Sequence, residues 1–151
     1  MGDARMTADE LDRIERELGL KLPGSYREFM QSGEFGEGSR GPQDLTGVGE
    51  EVIAMNKDLR MNGFFGAKWP EHYIAIGDDG AGDYYFTDAQ RDRPAVFLAD
   101  HELTTNKDCL VVSKKYQYET FLRFWEFLEE NRLATEKWLK RRWWQKLIRP
   151  L

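Results

Sequence analysis

Apolar residues recur along this chain first at a helical period, then at the period of a strand, then at a helical period again. Leu11, Ile14 and Leu18 lie three to four residues apart behind Thr7-Ala8-Asp9-Glu10, which has the form of a capping box. Gly19 follows as a C′ residue, and Asp9/Arg13 and Asp12/Arg16 are acid-then-base pairs on the outer face, so a first helix is predicted here. Pro23 suits the first turn of a second helix, because it has no amide hydrogen to leave unpaired. Leu22, Tyr26, Phe29 and Met30 would form that helix's buried stripe.

Glycine crowds residues 33–49 and predicts a long surface loop, with at most a short strand near Leu45. Residues 51–55 fit a short helix or a strand, and residues 56–69 resist assignment. The period then shortens. Residues 73–76 and 84–87 are rich in β-formers and flank Gly77-Asp78-Asp79-Gly80-Ala81-Gly82-Asp83, a hairpin signal in which glycines permit positive φ and aspartates bond nearby amides. A further strand is expected at residues 95–99 and another short apolar piece at 110–113. Tyr118, Phe121, Leu122, Trp125 and Leu128 are predicted to share one face of a helix ending near Glu130. Leu133, Trp144, Leu147, Ile148 and Leu151 share a second helical face beyond it. Helices, then strands, then helices imply an α+β domain with a central, mostly antiparallel sheet flanked by helices. Residues 1–130 form the domain on this reading. Residues 131–151 add a basic, aromatic C-terminal helix packed on it.

Composition narrows the class. The chain has 151 residues, 40% of them hydrophobic and 13% aromatic, enough for one ordinary folded domain. No apolar run reaches the ~18–20 residues of a membrane span, and the polar start of the sequence lacks an apolar signal region. With Cys109 as the sole cysteine, a cytoplasmic protein is expected. The net charge of −5 conceals a division: residues 131–151 carry seven basic side chains against one acidic, and residues 1–130 carry 15 against 26. Nucleic-acid binding needs cations to replace phosphate counterions, so the acidic body argues against it and favours a basic partner.

Catalytic chemistry finds little support. Asp78, Asp79 and Asp83 could ligate Ca²⁺ or Mg²⁺, but the glutamate that closes an EF-hand loop is missing, and turn formation is preferred. His72 and His101 lack an accompanying nucleophile motif and are assigned structural or surface roles. Cys109, beside Leu110-Val111-Val112, reads as a small buried hydrophobe. No phosphate-binding or dinucleotide fingerprint is present, so no cofactor, metal site or catalytic residue is expected. Phe64, Phe65 and Trp69 read as core, with an exposed hot spot as the alternative. Residues 137–151 read as a terminal helix on the domain, with a homodimer contact or an interfacial surface as alternatives.

Taken in order, Leu22-Pro23 with Tyr26 and Phe29, the glycines from Gly33 to Gly38, the hairpin with Gly80, Gly82 and Asp83, then Asp88 and the aromatic helix bearing Trp125 resemble the SUKH superfamily, nearest its Smi/Knr branch. The likeness spans roughly residues 7–130. It implies an α+β domain without catalysis that binds proteins. Bacterial members are immunity proteins that neutralise toxins, often nucleases, and fungal members are regulatory interaction proteins. Together with the acidic body and the cytoplasmic expectation, the resemblance implies an immunity protein for a basic toxin domain. The alternative is a regulatory module acting on an endogenous enzyme, or as a homodimer through the C-terminal helix. A hydrolase or metal enzyme is a third, unsupported class. Asp78, Asp79, Asp83 and Asp88, with Glu34 and Glu37, are the candidate partner contacts.

Overall fold

The computed structural model describes residues 5–33 and 44–148, with side chains in the second span from Leu45 to Trp143. Helices α1 (Ala8–Leu18) and α2 (Gly24–Ser32) come first, then strand β1 (Asp44–Leu45) and helix α3 (Gly49–Asn62). Strands β2 (Tyr73–Asp78), β3 (Tyr84–Asp88) and β4 (Val96–Ala99) precede the short helix α4 (His101–Thr104). Strand β5 (Val112–Tyr118) and the 28-residue helix α5 (Phe121–Ile148) complete the chain. The sheet runs β1-β2-β3-β4-β5 in chain order and every pairing is antiparallel. It is an α+β fold in which four main strands and the two-residue edge β1 are flanked by helices.

Strand alternation divides the core between the two faces of the sheet. Ile74, Ile76, Tyr85, Val96 and Leu98 face Leu11, Ile14, Tyr26, Phe29, Phe121 and Phe124 of α1, α2 and α5. Ala75, Phe86 and Ala99 point the other way, onto Leu59, Phe64 and Trp69. Helix α3 straddles the edge of β2, giving Val52 and Ile53 to the first cluster and Leu59 to the second.

Where β1 has ended, Asn56 of α3 takes its place beside β2. Its Oδ1 accepts from the Ala75 amide at 2.8 Å, and its Nδ2 donates to the Ala75 carbonyl at 2.8 Å and to the Val52 carbonyl at 2.9 Å. The side chain is fully buried. It therefore does for Ala75 what a neighbouring strand would do.

The N-terminal expectations hold for the helix ends but not for the expected ion pairs within α1: Arg13 pairs with Glu50 at 2.8 Å and Asp12 with Arg27 at 2.7 Å, each reaching another element. Thr7 and Glu10 form the reciprocal capping box of α1, and Gly19 ends the helix at φ 66°. Pro23 stands one position earlier than expected, at the N-cap of α2. Glu15 joins the two helices: its carboxylate accepts from the Leu22 amide at 2.9 Å and pairs with Arg27 and Lys21, each at 3.2 Å. Burial opposes ionisation of Glu15, but these three partners outweigh it and hold its carboxyl below the ordinary 4.5.

Other expectations change. The residues that resisted assignment continue α3 to Asn62 and then close a tight turn in which Phe64 and Ala67 bond each other's backbones. Tyr118 belongs to β5, opposite Val96, and the helix begins later because the Thr120 hydroxyl caps the Arg123 amide at 3.1 Å. Leu122, expected on the buried face, is exposed. Cys109 is also exposed, because it lies in the turn after α4 rather than in the strand it adjoins.

No break separates the two expected C-terminal helices. Helix α5 runs unbroken from Phe121 to Ile148. Phe121, Phe124, Trp125 and Leu128 are buried, whereas every residue from Leu133 to Trp143 is exposed. In this stretch the helix extends away from the domain rather than lying on it. Leu151 and the side chains of Trp144, Leu147 and Ile148, the rest of the expected stripe, lie outside the described residues.

Candidate protein-binding surface

The β2–β3 turn is built by its aspartates. Asp78 Oδ1 accepts from the Gly80 amide at 2.8 Å, and Asp79 Oδ1 accepts from the Ala81 and Asp83 amides at 2.8 and 3.0 Å. Gly80 and Gly82 take φ 74° and 117°, which a side chain would disfavour. Asp83 reaches out of the turn: its Oδ1 accepts from the His101 amide at 2.8 Å and contacts His101 Nδ1. That bond holds the His101 imidazolium above its ordinary 6.5, with burial opposing and Asp83, Glu102 and Asp100 adding favourable charge. Gly82 is close beneath, where a Cβ would sit 3.4 Å from His101 Nδ1. The hairpin tip is thereby latched to α4.

This latch brings the tip together with a second feature. Phe65 stacks on His101 with ring centroids 5.0 Å apart, yet remains 49% exposed. Its φ of 47° is unusual for a bulky residue and is set by the tight turn between Phe64 and Ala67. Phe64 and Trp69, in contrast, are buried against Tyr84 and each other. Of the three aromatics considered, two are core and Phe65 forms the surface. Leu103 of α4 is 52% exposed two residues from His101. Phe65 and Leu103 thus share the α4 end of the molecule with Asp78, Asp79, Asp83, Asp100 and Glu102.

Asp88 is not part of that group. In the register of the hairpin it pairs with Tyr73, at the end of β3 opposite the tip. Five residue steps along the strand separate it from Asp83, about 17 Å. There its Oδ1 accepts from the Gln90 amide at 2.9 Å and Oδ2 lies 3.6 Å from Arg91. Glu34 and Glu37 lie outside the described residues. The structure therefore unites three of the six candidate acids, and each of the four described ones has a local bond that shapes backbone. Phe65, for which core was preferred over an exposed hot spot, is half-exposed, and the exposure of Leu103 was not foreseen. The only sequence signal for Phe65 is the tight Gly63–Gly66 spacing around two phenylalanines.

The motif residues behind the surface are structural. Leu22, Tyr26, Phe29 and Trp125 are buried, and both Tyr26 and Phe29 pack on Phe121, at centroid distances of 5.4 and 6.2 Å. Helices α1, α2 and the first part of α5 pack in one cluster on a single face of the sheet. A family model described as SMI1 / KNR4 family (SUKH-1) matches residues 5–130. The chain belongs to this family. The match ends where α5 leaves the body, so the exposed part of the helix lies beyond the SUKH-1 region. No curated protein is significantly similar to the chain.

Among the described residues no group of three or more His, Cys, Asp or Glu side chains is placed to hold a metal ion. No helix among them is long and apolar enough to cross a membrane. A groove of about 310 Å³ runs between Ser25, Glu28 and Phe29 of α2 and Arg93, Glu119 and Leu122. It is shallow and holds no nucleophile–base pair.

Proposed function

We propose that this SUKH-1 protein is a non-enzymatic cytoplasmic immunity protein that neutralises a basic toxin domain by binding it directly. Family membership carries the reading, because SUKH domains fit a protein-binding, immunity-type role. The acidic balance of residues 1–130 supports a cationic partner, which it would attract over distance and bind faster at low salt. On this reading the docking surface is the α4 end, with Phe65 and Leu103 as apolar anchors and the charges of Asp78, Asp79 and Asp83 as an acidic rim. The bonds from Gly80, Ala81 and His101 fix the carboxylates in place, and Asp83, 13% exposed and paired with His101, serves chiefly to hold the tip against α4.

Co-expression tests it. Growth restored against a toxin encoded at the same locus, with a complex isolated from the cells, is the expected result. Failure to rescue or to bind any such toxin would overturn it. A regulatory module acting on an endogenous enzyme is the second reading. It is favoured by the exposed basic stretch of α5, which a single toxin-binding surface does not require.

A further inference from the structure

Helix α5 divides its charge by halves. Its first part and the residue pair before it expose Glu119, Glu126 and Glu130, with Glu129 half-buried, against Arg123. Its second part exposes Lys137, Lys140, Arg141 and Arg142 against Glu136. Leu122, Glu126, Glu129, Leu133, Lys137 and Lys140 follow one another at steps of four, three, four, four and three. At about 100° per residue they trace one stripe, whose centre lies about 125° around the helix from that of Phe121, Phe124, Trp125 and Leu128. The stripe runs beside the buried face, with Glu129 half-buried at its inner border and its other five residues exposed. Leu133, 48% exposed, stands at its centre.

We propose that this stripe binds a second copy of the chain, with the two α5 helices antiparallel and a two-fold axis at Leu133. In that register Leu133 meets Leu133 of the other copy. Glu126 falls opposite Lys140 and Glu129 opposite Lys137, and the symmetry makes each pair twice, for four opposite-charge pairs. Parallel pairing would instead set glutamate beside glutamate and lysine beside lysine. The acids already have neighbours within their own helix, Arg123 at 2.8 Å from Glu126 and Arg132 at 3.0 Å from Glu129. The Arg123 contact is exposed, whereas Arg132 holds both Glu129 oxygens in a half-buried pair that Lys137 of the other copy would join. With the axis at Leu133 the two helices overlap over residues 121–145, about 37 Å along the axis, and the bodies sit at opposite ends of the pair.

Sedimentation equilibrium of the full chain at low ionic strength should give twice the 17.7 kDa monomer mass, and high salt should lower it. Leu133→Glu should return the monomer mass. So should Glu126→Lys/Glu129→Lys alone and Lys137→Glu/Lys140→Glu alone, each with an unchanged circular dichroism spectrum. Mixing these two double variants should restore a dimer of one copy of each, and combining all four substitutions in one chain should restore the homodimer. A wild-type chain that keeps the monomer mass at every concentration and salt would overturn the pairing. So would double variants that dimerise alone, or a mixture that does not associate.

Discussion

Two regions carry most of the conspicuous charge of this protein, and they use it in opposite ways. At the β2–β3 tip, Asp78, Asp79 and Asp83 are spent first on the molecule itself, accepting from Gly80, Ala81, Asp83 and His101 amides. Along the far half of α5, Lys137, Lys140 and Arg141 make no ion pair among the described residues, and Arg142 lies over the Trp138 ring at 4.8 Å. The hairpin's charges build a shape that a partner can then meet. Among the described residues, Lys137, Lys140 and Arg141 shape no backbone and join no element of the single chain. A run of acids bounded by glycines is turn chemistry before it is recognition, whereas a run of cations on a helix that has left its core is available for association.

The sharpest way to expose the contrast is to remove an aromatic from each region. Phe86 of β3 packs on Trp69, Tyr73 and Phe97 and is fully buried. Phe86→Ala should cost about 3–5 kcal/mol in denaturant unfolding. Trp143→Ala, at a position 59% exposed, should change the stability of the monomer by no more than about 0.5 kcal/mol. Similar losses at both would mean that the α5 extension packs on the body.

Next in size is Asn56→Ala. It orphans the buried amide and carbonyl of Ala75, and about 2–4 kcal/mol should be lost in the same measurement. Gly82→Ala should cost less, about 1–2 kcal/mol, since it strains a φ of 117° and crowds the His101 ring. Ala134→Gly in the extension should cost the monomer almost nothing beyond local helix fraying.

The smallest effect is that of pH on the latch. His101 has a folded pKa raised above 6.5 by Asp83, so its contribution is complete below the unfolded value and is lost as pH rises through the folded one. The difference in Tm between wild type and His101→Gln should therefore be largest in mild acid and shrink toward alkaline pH. A difference that grew with pH would contradict the latch.

How far these features could be read in advance follows from where their causes lie. The capping box of α1, its Gly19 terminus and the hairpin glycines are local chemistry within a few residues, and all are found as expected. The α+β order follows from the two hydrophobic periods. Asn56 was illegible because a polar residue inside a helix looks like surface until the short β1 leaves Ala75 needing a partner. Strand β5 was hidden because Lys114 and Lys115 interrupt its apolar pattern while Tyr118 also fits the spacing of the helix that follows. The continuity of α5 was masked by a change of composition, although Arg132, Leu133, Ala134, Glu136 and Lys137 include no helix breaker. At the proposed surface, the acids were visible as residues but their separation was not, since the hairpin register alone places Asp88 far from Asp83. The exposure of Phe65 arises from the backbone of one tight turn, which composition does not encode.

The proposed role rests most directly on the α4 end as the place where a partner docks. Calorimetric titration of a toxin domain against which the chain restores growth, into wild type and into Phe65→Ala, is the measurement that isolates it. A loss of affinity of about ten-fold or more, with the fold unchanged by circular dichroism, is the expected result. Equal affinity for the two proteins would contradict the account and place the binding surface elsewhere.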